Sequence, residues 1–407
     1  MKFLLALVIL TGIAVLGSKI SFLRKEFSLG VKNIFFTGIE YILIGLILGE
    51  SGIKILDIET LPKFYPFLVF GLAWIGYLFG VQFEFQQVKK LPRMFFSITA
   101  IQAFVTFLSV SIIMFIVFRN FFFMKFQISL ILSIFLGTIA LSTAQSAIAI
   151  VNKNYKFKNQ KLFDLLRYVS GVDGVFAIMV FAVLLAFMKN GNSLSLNPAL
   201  TLLWLSISVL IGFIPAVIFR IMNRVRPGIQ EFPVFLVGVI IFTGGLAIQL
   251  NHSPLVCGFF GGIIIANSCR YRTRVLLFLH EAEKAIYIIM LLILGAGWNP
   301  DKGINFILVL FYIVFRLLGK FFGNFIAARS FRSTFKIPST IGIALLSEGG
   351  LSFGILINFI ILFPELSDKI IYIVILSSFI NELLSPRLIL TQFKEKEFIG
   401  NIGGKKL

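Results

Sequence analysis

The sequence predicts an all-α, polytopic membrane protein with about thirteen transmembrane helices. Hydrophobic residues make up 58% of the 407 positions, and the mean hydropathy is +0.99, which is more apolar than a soluble core requires. Apolar runs of roughly 20 residues, the length of helix that crosses a bilayer, recur from end to end. The runs are continuously apolar, whereas the strands of a membrane β-barrel alternate apolar with polar residues.

Short connections join the predicted segments, so we expect one transmembrane domain over residues 1–393 and a short basic tail over residues 394–407. Lys2 precedes the first apolar stretch, as in a signal peptide, but no A-x-A-like cleavage site is evident and we expect a retained helix. In chain order the segments cover residues 2–18, 33–49, 64–83, 94–117, 126–151, 163–188, 200–222, 232–250, 253–268, 274–297, 303–328, 337–363 and 369–391.

The net charge of +19 is distributed unevenly between the two sets of loops. With an external N-terminus, the cytoplasmic connections and the tail carry Lys19, Arg24, Lys25, Lys32, Lys89, Lys90, Arg93, Lys153, Lys156, Lys158, Lys161, Arg167, Arg220, Arg224, Arg226, Arg270, Arg272, Arg274, Arg329, Arg332, Lys336, Lys394, Lys396, Lys405 and Lys406. The external loops have scattered cations mixed with acids. This positive-inside pattern predicts a multi-pass protein of the inner (plasma) membrane with a cytoplasmic C-terminus. The lipid bilayer is then the partner that explains the charge, and nucleic-acid binding is not needed.

Asp173 is the candidate functional carboxylate. It lies about ten residues into the sixth segment, near the expected bilayer midplane, between Gly171 and Gly174. An ionisable group at that depth costs about 2.5–3.5 kcal/mol on insertion scales, so it indicates a functional site by default. The alternative is a structural carboxylate that is permanently paired with a cation.

Polar residues interrupt the middle of the fifth and twelfth segments. The fifth contains Gly137, Thr138, Ser142, Thr143, Gln145 and Ser146, and the twelfth contains Ser347, Glu348, Gly349, Gly350, Ser352 and Gly354. Helix breaks at these positions would place hydroxyls and free carbonyls where they replace the water of a small cation. Tight packing of small residues, with Ser and Thr bonded to their own helix, is the alternative. An offset of seven spans reverses direction, so segments four to six and eleven to thirteen are predicted to be inverted repeats.

Two cations, Arg316 and Lys320, lie four residues apart on one face of the eleventh segment. Lys320 is expected either to compete with a transported ion for Asp173 or to neutralise the C-terminal ends of the broken helices. Snorkelling toward the cytoplasm is the alternative. We expect Glu40, Glu84, Glu281, Glu283 and Glu382 to lie near segment ends, in solvated or gate-lining positions without assigned chemistry.

These motifs, in this order, resemble the monovalent cation:proton antiporter superfamily, in the branch that contains bacterial sodium/proton and Kef-type potassium/proton exchangers. The matching stations are Gly80-Val-Gln-Phe-Glu84, Ser142-Thr143-Ala144, Asp173, Gly295-Ala-Gly297-Trp-Asn-Pro-Asp301, Lys320-Phe-Phe-Gly323 and Ser347-Glu-Gly-Gly350. Nearly the whole chain takes part.

The resemblance implies an NhaA-type fold with two crossed discontinuous helices. It implies a mobile core (approximately residues 94–188 and 303–391), a fixed dimerisation scaffold and a homodimer. It also implies that Asp173 binds a cation or protons beside Ser142 and Thr143. We expect Lys320, Arg316, Glu348, Ser347 and Gln145 to support this site, and no cofactor beyond the transported Na+ or K+ and H+.

One departure from the family pattern affects stoichiometry. Many relatives have a polar or acidic residue before the aspartate, where this chain has Val172. In electrogenic relatives that first acid pairs with a lysine at the position matched to Lys320, with Arg316 an alternative match. The sequence therefore predicts an antiporter and not an enzyme, without choosing Na+ over K+. A channel-like or sensory protein of the same fold, without coupled exchange, is the second hypothesis.

Overall fold

The computed structural model describes residues 2–19, 28–86, 93–157, 160–188, 197–225, 231–269, 272–300, 305–331, 338, 340–392 and 398–401. Most of the basic tail lies outside this part of the chain, as do Asp301 and these predicted cytoplasmic loop cations: Arg24, Lys25, Lys89, Lys90, Lys158, Arg226, Arg270, Arg332 and Lys336.

The N-terminal half is a series of apolar helices. They are α1 (Lys2–Lys19), α2 (Leu29–Thr37), α3 (Glu40–Leu48), α4 (Tyr65–Gln82), α5 (Arg93–Asn120), α6 (Phe126–Leu141), α7 (Ser146–Asn154) and α8 (Gln160–Phe187), with a 3-10 turn at Leu61–Phe64 before α4. The second predicted segment is bent by 56° between α2 and α3. The fifth is divided into α6 and α7, as its polar residues predict.

The C-terminal half also contains both continuous and interrupted helices. It contains α9 (Pro198–Val225), α10 (Phe232–Gln249), α11 (Pro254–Ser268), α12 (Arg272–Gly297), α13 (Phe306–Ser330), a 3-10 turn (Ile341–Leu345), α14 (Gly349–Leu362), the short α15 (Pro364–Ser367) and α16 (Ile371–Thr391). The twelfth predicted segment is divided into the 3-10 turn and α14, so it is interrupted in the same way as the fifth.

Within the described residues, eight helices are long and apolar enough to cross a membrane, or nine if the bent α2 and α3 form one span. Three shorter apolar helices, Lys2–Ser18, Pro254–Ser268 and Gly349–Leu362, coincide with further predicted segments. The protein is therefore a multi-pass helical membrane protein, and the count of thirteen spans stays a prediction.

The helices around the two interruptions pack closely. Gly319 and Gly323 of α13 lie against the backbone of Thr106 and Gln102 of α5, and a Cβ at either glycine would be 2.8 Å from the Cα opposite. Small residues let two helix backbones approach in this way, because van der Waals packing and not burial from water holds helices together in lipid. The close approach places polar side chains of α5 beside those of α13.

Two short strands outside the long helices form an antiparallel pair that the sequence did not predict. Strand β1 (Tyr155–Phe157) follows α7 directly and pairs with β2 (Phe398–Asn401) near the C-terminus. The pairing joins the end of one interrupted segment to the beginning of the described part of the tail.

Candidate functional site

The two interrupted segments meet at their breaks, which we name the first break (residues 142–145) and the second break (residues 346–348). The amide of Ala144 donates to the carbonyl of Ser347 over 2.8 Å. The hydroxyls of Ser142 and Ser352 are 2.6 Å apart, and those of Ser146 and Ser347 are 3.2 Å apart. Backbone and hydroxyl groups that a continuous helix would bond internally are thus used to join the two segments.

Gly349 ends the second break in a conformation that its side-chain-free backbone allows. Its φ is +64°, in the left-handed region, and an added Cβ would collide with the side chain of Ala144. A residue with a Cβ is disfavoured there on both grounds, so this glycine permits the crossing.

Asp173 is fully buried beside the first break. Its Oδ2 accepts hydrogen bonds from Thr143 Oγ1 at 2.8 Å and from Lys320 Nζ at 2.7 Å. A buried carboxylate needs such partners, because unpaired charge at low dielectric is strongly disfavoured. The structure therefore brings together Asp173, Thr143 and Lys320, three residues that the sequence singled out.

Gln102 of α5 is a further contact of Asp173 that the sequence analysis missed. In the amide orientation that satisfies all its neighbours, its nitrogen donates to the two carboxylate oxygens at 2.9 and 3.1 Å, and its oxygen accepts from Lys320 Nζ at 3.0 Å. A signal for it exists in the sequence. Thr99, Gln102 and Thr106 recur at helical spacing in this largely apolar segment, and all three are buried.

Arg316 and Lys320 neutralise the C-terminal end of α6. Lys320 Nζ donates to Leu141 O at 2.9 Å, and Arg316 donates to Ala140 O at 3.2 Å and to Ser142 O at 2.8 Å. Arg316 also donates to Leu346 O in the second break. Lys320 therefore contacts both Asp173 and the C-terminal end of α6. Snorkelling does not occur, because neither cation is exposed.

Glu348 in the second break is buried and lies beside Arg316. Its Oε1 is 3.6 Å from Arg316 Nη1 and accepts from Asn381 Nδ2 at 2.8 Å, and its Oε2 accepts from Ser378. This carboxylate therefore has a cationic partner of its own.

Glu382 on α16 corrects the expectation of a solvated position, because it is fully buried. Its Oε1 accepts from the amides of Glu348 at 2.8 Å and Gly349 at 2.9 Å, which are those of the N-cap and the first residue of α14. Its Oε2 accepts from Ser347 Oγ at 2.7 Å and from Asn33 Nδ2 of α2. A carboxylate at a helix N-terminus is favoured by the unsatisfied amides there. The sequence analysis grouped Glu382 with acids near segment ends, although it lies in the middle of α16.

A cavity of about 450 Å³ reaches the crossing. Thr143, Ser146, Gln145, Gly171 and Glu348 contribute to its lining, but Asp173 does not. Thr143 therefore lies between the cavity, which it lines, and Asp173, to which it donates a hydrogen bond. Gln145 is exposed in the cavity without touching the carboxylate, and Ser142 faces Ser352 instead of Asp173.

The other acids and histidines do not join this cluster. Glu84 pairs with Arg272, His280 bonds Glu283 at 2.9 Å, and His252 bonds Ser208 at 2.9 Å. In the described residues, no group of three His, Cys, Asp or Glu side chains could hold a metal ion.

The fold and these contacts define a class: a helical membrane protein in which two interrupted helices meet beside a buried ionisable site, the architecture typical of secondary transporters. The transmembrane sodium/hydrogen exchanger model matches residues 4–387, and the chain belongs to that family, within the monovalent cation:proton antiporter superfamily.

Among solved structures, the chain is similar to the sodium proton antiporter MjNhaP1 from Methanocaldococcus jannaschii at pH 8. The TM-score is 0.67 with 16% identity, over 96% of this chain and 97% of the other. A search of curated proteins found no match. The family supports cation/proton exchange and points to a transporter rather than an enzyme.

Proposed function

We propose that the protein is a secondary active antiporter that exchanges Na+ or K+ for protons at Asp173. The observation that carries the proposal is the contact set of this carboxylate, which shares Lys320 with the carbonyl end of α6 and accepts from Thr143. An arriving cation has to displace the ammonium of Lys320 from the carboxylate, and a proton neutralises the carboxylate in the same place. Asp173 therefore holds one of these ligands at a time, and competition couples the two fluxes.

The ligands available to a dehydrated cation are oxygens. Asp173 supplies a carboxylate, Thr143 a hydroxyl and Gln102 an amide oxygen, and all three side chains are more than nine-tenths buried. Carbonyls at the first break, now occupied by Arg316 and Lys320, lie alongside. This set suits Na+ and K+ alike, so the choice between them depends on the cavity size when the cation is bound.

The two halves of the proposed inverted repeat contain the same type of hydrogen bond, which supports the repeat. In the first, a hydroxyl of the first break (Thr143) donates to a carboxylate of the next helix (Asp173). In the second, a hydroxyl of the second break (Ser347) donates to a carboxylate of the helix that follows (Glu382). We propose that thirteen segments cross the inner membrane and that the core formed by residues 94–188 and 303–391 moves against a dimeric scaffold.

We propose that the cavity is the cytoplasmic access route. Gln82 at the C-terminal end of α4 and His280 in the first half of α12 line it, and the loop charges predict that both of these ends face the cytoplasm. Alternating access then closes this route and opens one to the other side.

The test is cation-driven proton movement in proteoliposomes for Asp173→Asn. We expect loss of exchange with Na+, K+ or Li+, because the neutral side chain binds neither a proton nor a cation in competition. Asp57→Asn, which changes an acid in a loop, is the matched control and should exchange normally. Undiminished exchange by Asp173→Asn would contradict the proposal, and conductance without proton counterflow would favour the channel-like alternative.

A further inference from the structure

Glu382 is a buried carboxylate that the proposed exchange step at Asp173 does not use. Lys320 pairs with Asp173 and Arg316 with Glu348, whereas in the described chain no Lys or Arg nitrogen lies within 4 Å of a Glu382 oxygen. Its hydrogen bonds come from neutral groups: two amides, one hydroxyl and one carboxamide. A buried acid without a cation is the kind of group that exchanges its charge for a proton when its surroundings allow it.

A chain of hydroxyls connects Glu382 to the cavity. Ser146 lines the cavity, and its Oγ is 3.2 Å from Ser347 Oγ. Ser347 Oγ is in turn 2.7 Å from Glu382 Oε2. Each hydroxyl both donates and accepts a hydrogen bond. When Ser146 takes up a proton from the cavity, it passes its own proton to Ser347, and Ser347 passes its own proton to Glu382. Each hydroxyl therefore has one proton before and after the transfer.

Asn33 can accept a hydrogen bond from Glu382 when this carboxyl group is protonated. Asn33 is fully buried, donates its Nδ2 to Glu382 Oε2, and leaves its Oδ1 without a hydrogen-bond partner. Rotation of this amide by half a turn presents Oδ1 to the same carboxyl oxygen, which then donates as O–H. Asn33 thus suits both the ionised and the protonated form. A metal cation is less suited, because the donors around Glu382 would all have to leave.

We infer that Glu382 is a second proton-binding site, filled from the cavity through Ser146 and Ser347 and separate from Asp173. Its part in transport rests on the proposed exchange function, whereas its protonation can be measured without transport. Besides Tyr372 and Arg387 on α16 itself, the titratable groups on the helices packed against α16 are Lys32 on α2, Lys153 on α7, and Tyr312, Arg316, Lys320 and Arg329 on α13. Glu348 before α14 and Tyr287 on α12 also interact electrostatically with Glu382.

The test compares Asp173→Asn with the double variant Asp173→Asn/Glu382→Gln as purified proteins in detergent. On acidification we expect the single variant to take up one more proton per chain, and to show a carboxylic-acid C=O infrared band, sensitive to D2O, that the double variant lacks. A carboxylate that serves only as a helix cap would stay ionised, so equal proton uptake and identical bands would overturn the inference. Loss of exchange by Asp173→Asn would be unaffected by that result, which keeps the two proposals separable.

A second variant keeps the inference testable if the glutamine variant does not fold. Ser347→Ala interrupts the hydroxyl chain, and after a pH jump we expect severalfold slower proton uptake with the same final uptake. Ser377→Ala is the matched control, because this buried hydroxyl of α16 bonds only its own helix at Val374 O. Equal rates in the two alanine variants would contradict the proposed path.

Discussion

Lys320 and Asp173 form a fully buried ion pair with 2.7 Å between Nζ and Oδ2. Removing one partner of such a pair leaves an uncompensated charge, at a cost of about 3–5 kcal/mol. We expect Lys320→Gln to lower the melting temperature in cation-free detergent solution, and Na+ or K+ to restore much of the loss by occupying the vacated position beside Asp173.

Lys54→Gln is the control for that measurement. Lys54 forms an exposed pair with Glu50 at 3.3 Å, with 62% and 39% of the side chains accessible, and surface pairs contribute about 0–1 kcal/mol. The melting temperature of Lys54→Gln should stay near that of the unmodified protein, and Na+ or K+ should change the two melting temperatures equally. Equal stability of Lys320→Gln and the unmodified protein would show that the pair is not needed to hold Asp173.

Asp57, in the loop after α3, gives a pH prediction outside the membrane. Hydrogen bonds from Thr60, followed by that from Lys2, lower the pKa of this carboxyl from 3.8 to about 2. Since the folded-state pKa is lowered, any stabilisation is present above 3.8 and is lost as the pH falls toward 2. Asp57 therefore stays ionised at neutral pH, and Asp57→Asn should leave the pH profile of exchange unchanged in a fluorescence assay. A shifted profile would show that this loop contributes to proton sensing.

At this scale the sequence analysis identified Asp173, Lys320 and the polar groups of the two breaks, and it missed the roles of Gln102 and Glu382. Asp173 and Lys320 stood out because charge inside a span is costly. Gln102 is neutral, so no buried charge marks it, and Glu382 was assigned to a segment end although it is nine residues from the end of α16, a depth similar to that of Asp173. Only the packing of α5, α2 and α16 against the breaks reveals these two roles.

Gly349 joins the second break to α14 and fixes the geometry of the crossing. We expect Gly349→Ala to destabilise the protein by about 1–3 kcal/mol from the left-handed backbone alone. The added Cβ would also collide with Ala144 and displace the second break, so we expect the exchange rate to fall by more than the loss of folded protein explains. Thermal unfolding and proteoliposome exchange measure the two effects.

Gly238→Ala is the matched control for this substitution. Gly238 lies in the interior of α10, and a Cβ there would meet nothing within 4 Å. Alanine is the better helix former by about 1 kcal/mol, so the control should be neutral or slightly stabilised. Normal exchange by Gly349→Ala would show that the crossing tolerates a displaced second break.

The elements themselves were predictable where the polar pattern departs from a continuous apolar run. Both breaks fall within the polar stretches of the fifth and twelfth segments. The sequence analysis did not predict the bend at Gly38 or the pairing of β1 with β2. The bend falls between Thr37 and Glu40, whose polar side chains were not taken to interrupt the second segment, and the pairing joins residues more than 240 positions apart in a short local ladder.

At the scale of the whole molecule, the loop charges and the cavity together predict the side of the membrane to which the cavity opens. The positive-inside pattern predicts that the C-terminal end of α4 and the N-terminal end of α12 face the cytoplasm, and the cavity between them reaches Thr143. Neither observation alone gives the direction in which Asp173 is accessible. Together they predict that the described conformation is open to the cytoplasm.

This prediction is tested with a cysteine in the cavity. Cys257 is buried and Cys269 is partly buried, so both are replaced first, and Gln145→Cys is then introduced at an exposed position of the cavity lining. A membrane-impermeant thiol reagent should label it in inside-out vesicles and not in right-side-out vesicles. Glu59→Cys, on a predicted external loop, should show the reverse pattern. Labelling of both cysteines from the same side would refute the cytoplasmic assignment of the cavity, because their opposite sidedness follows directly from the loop charges.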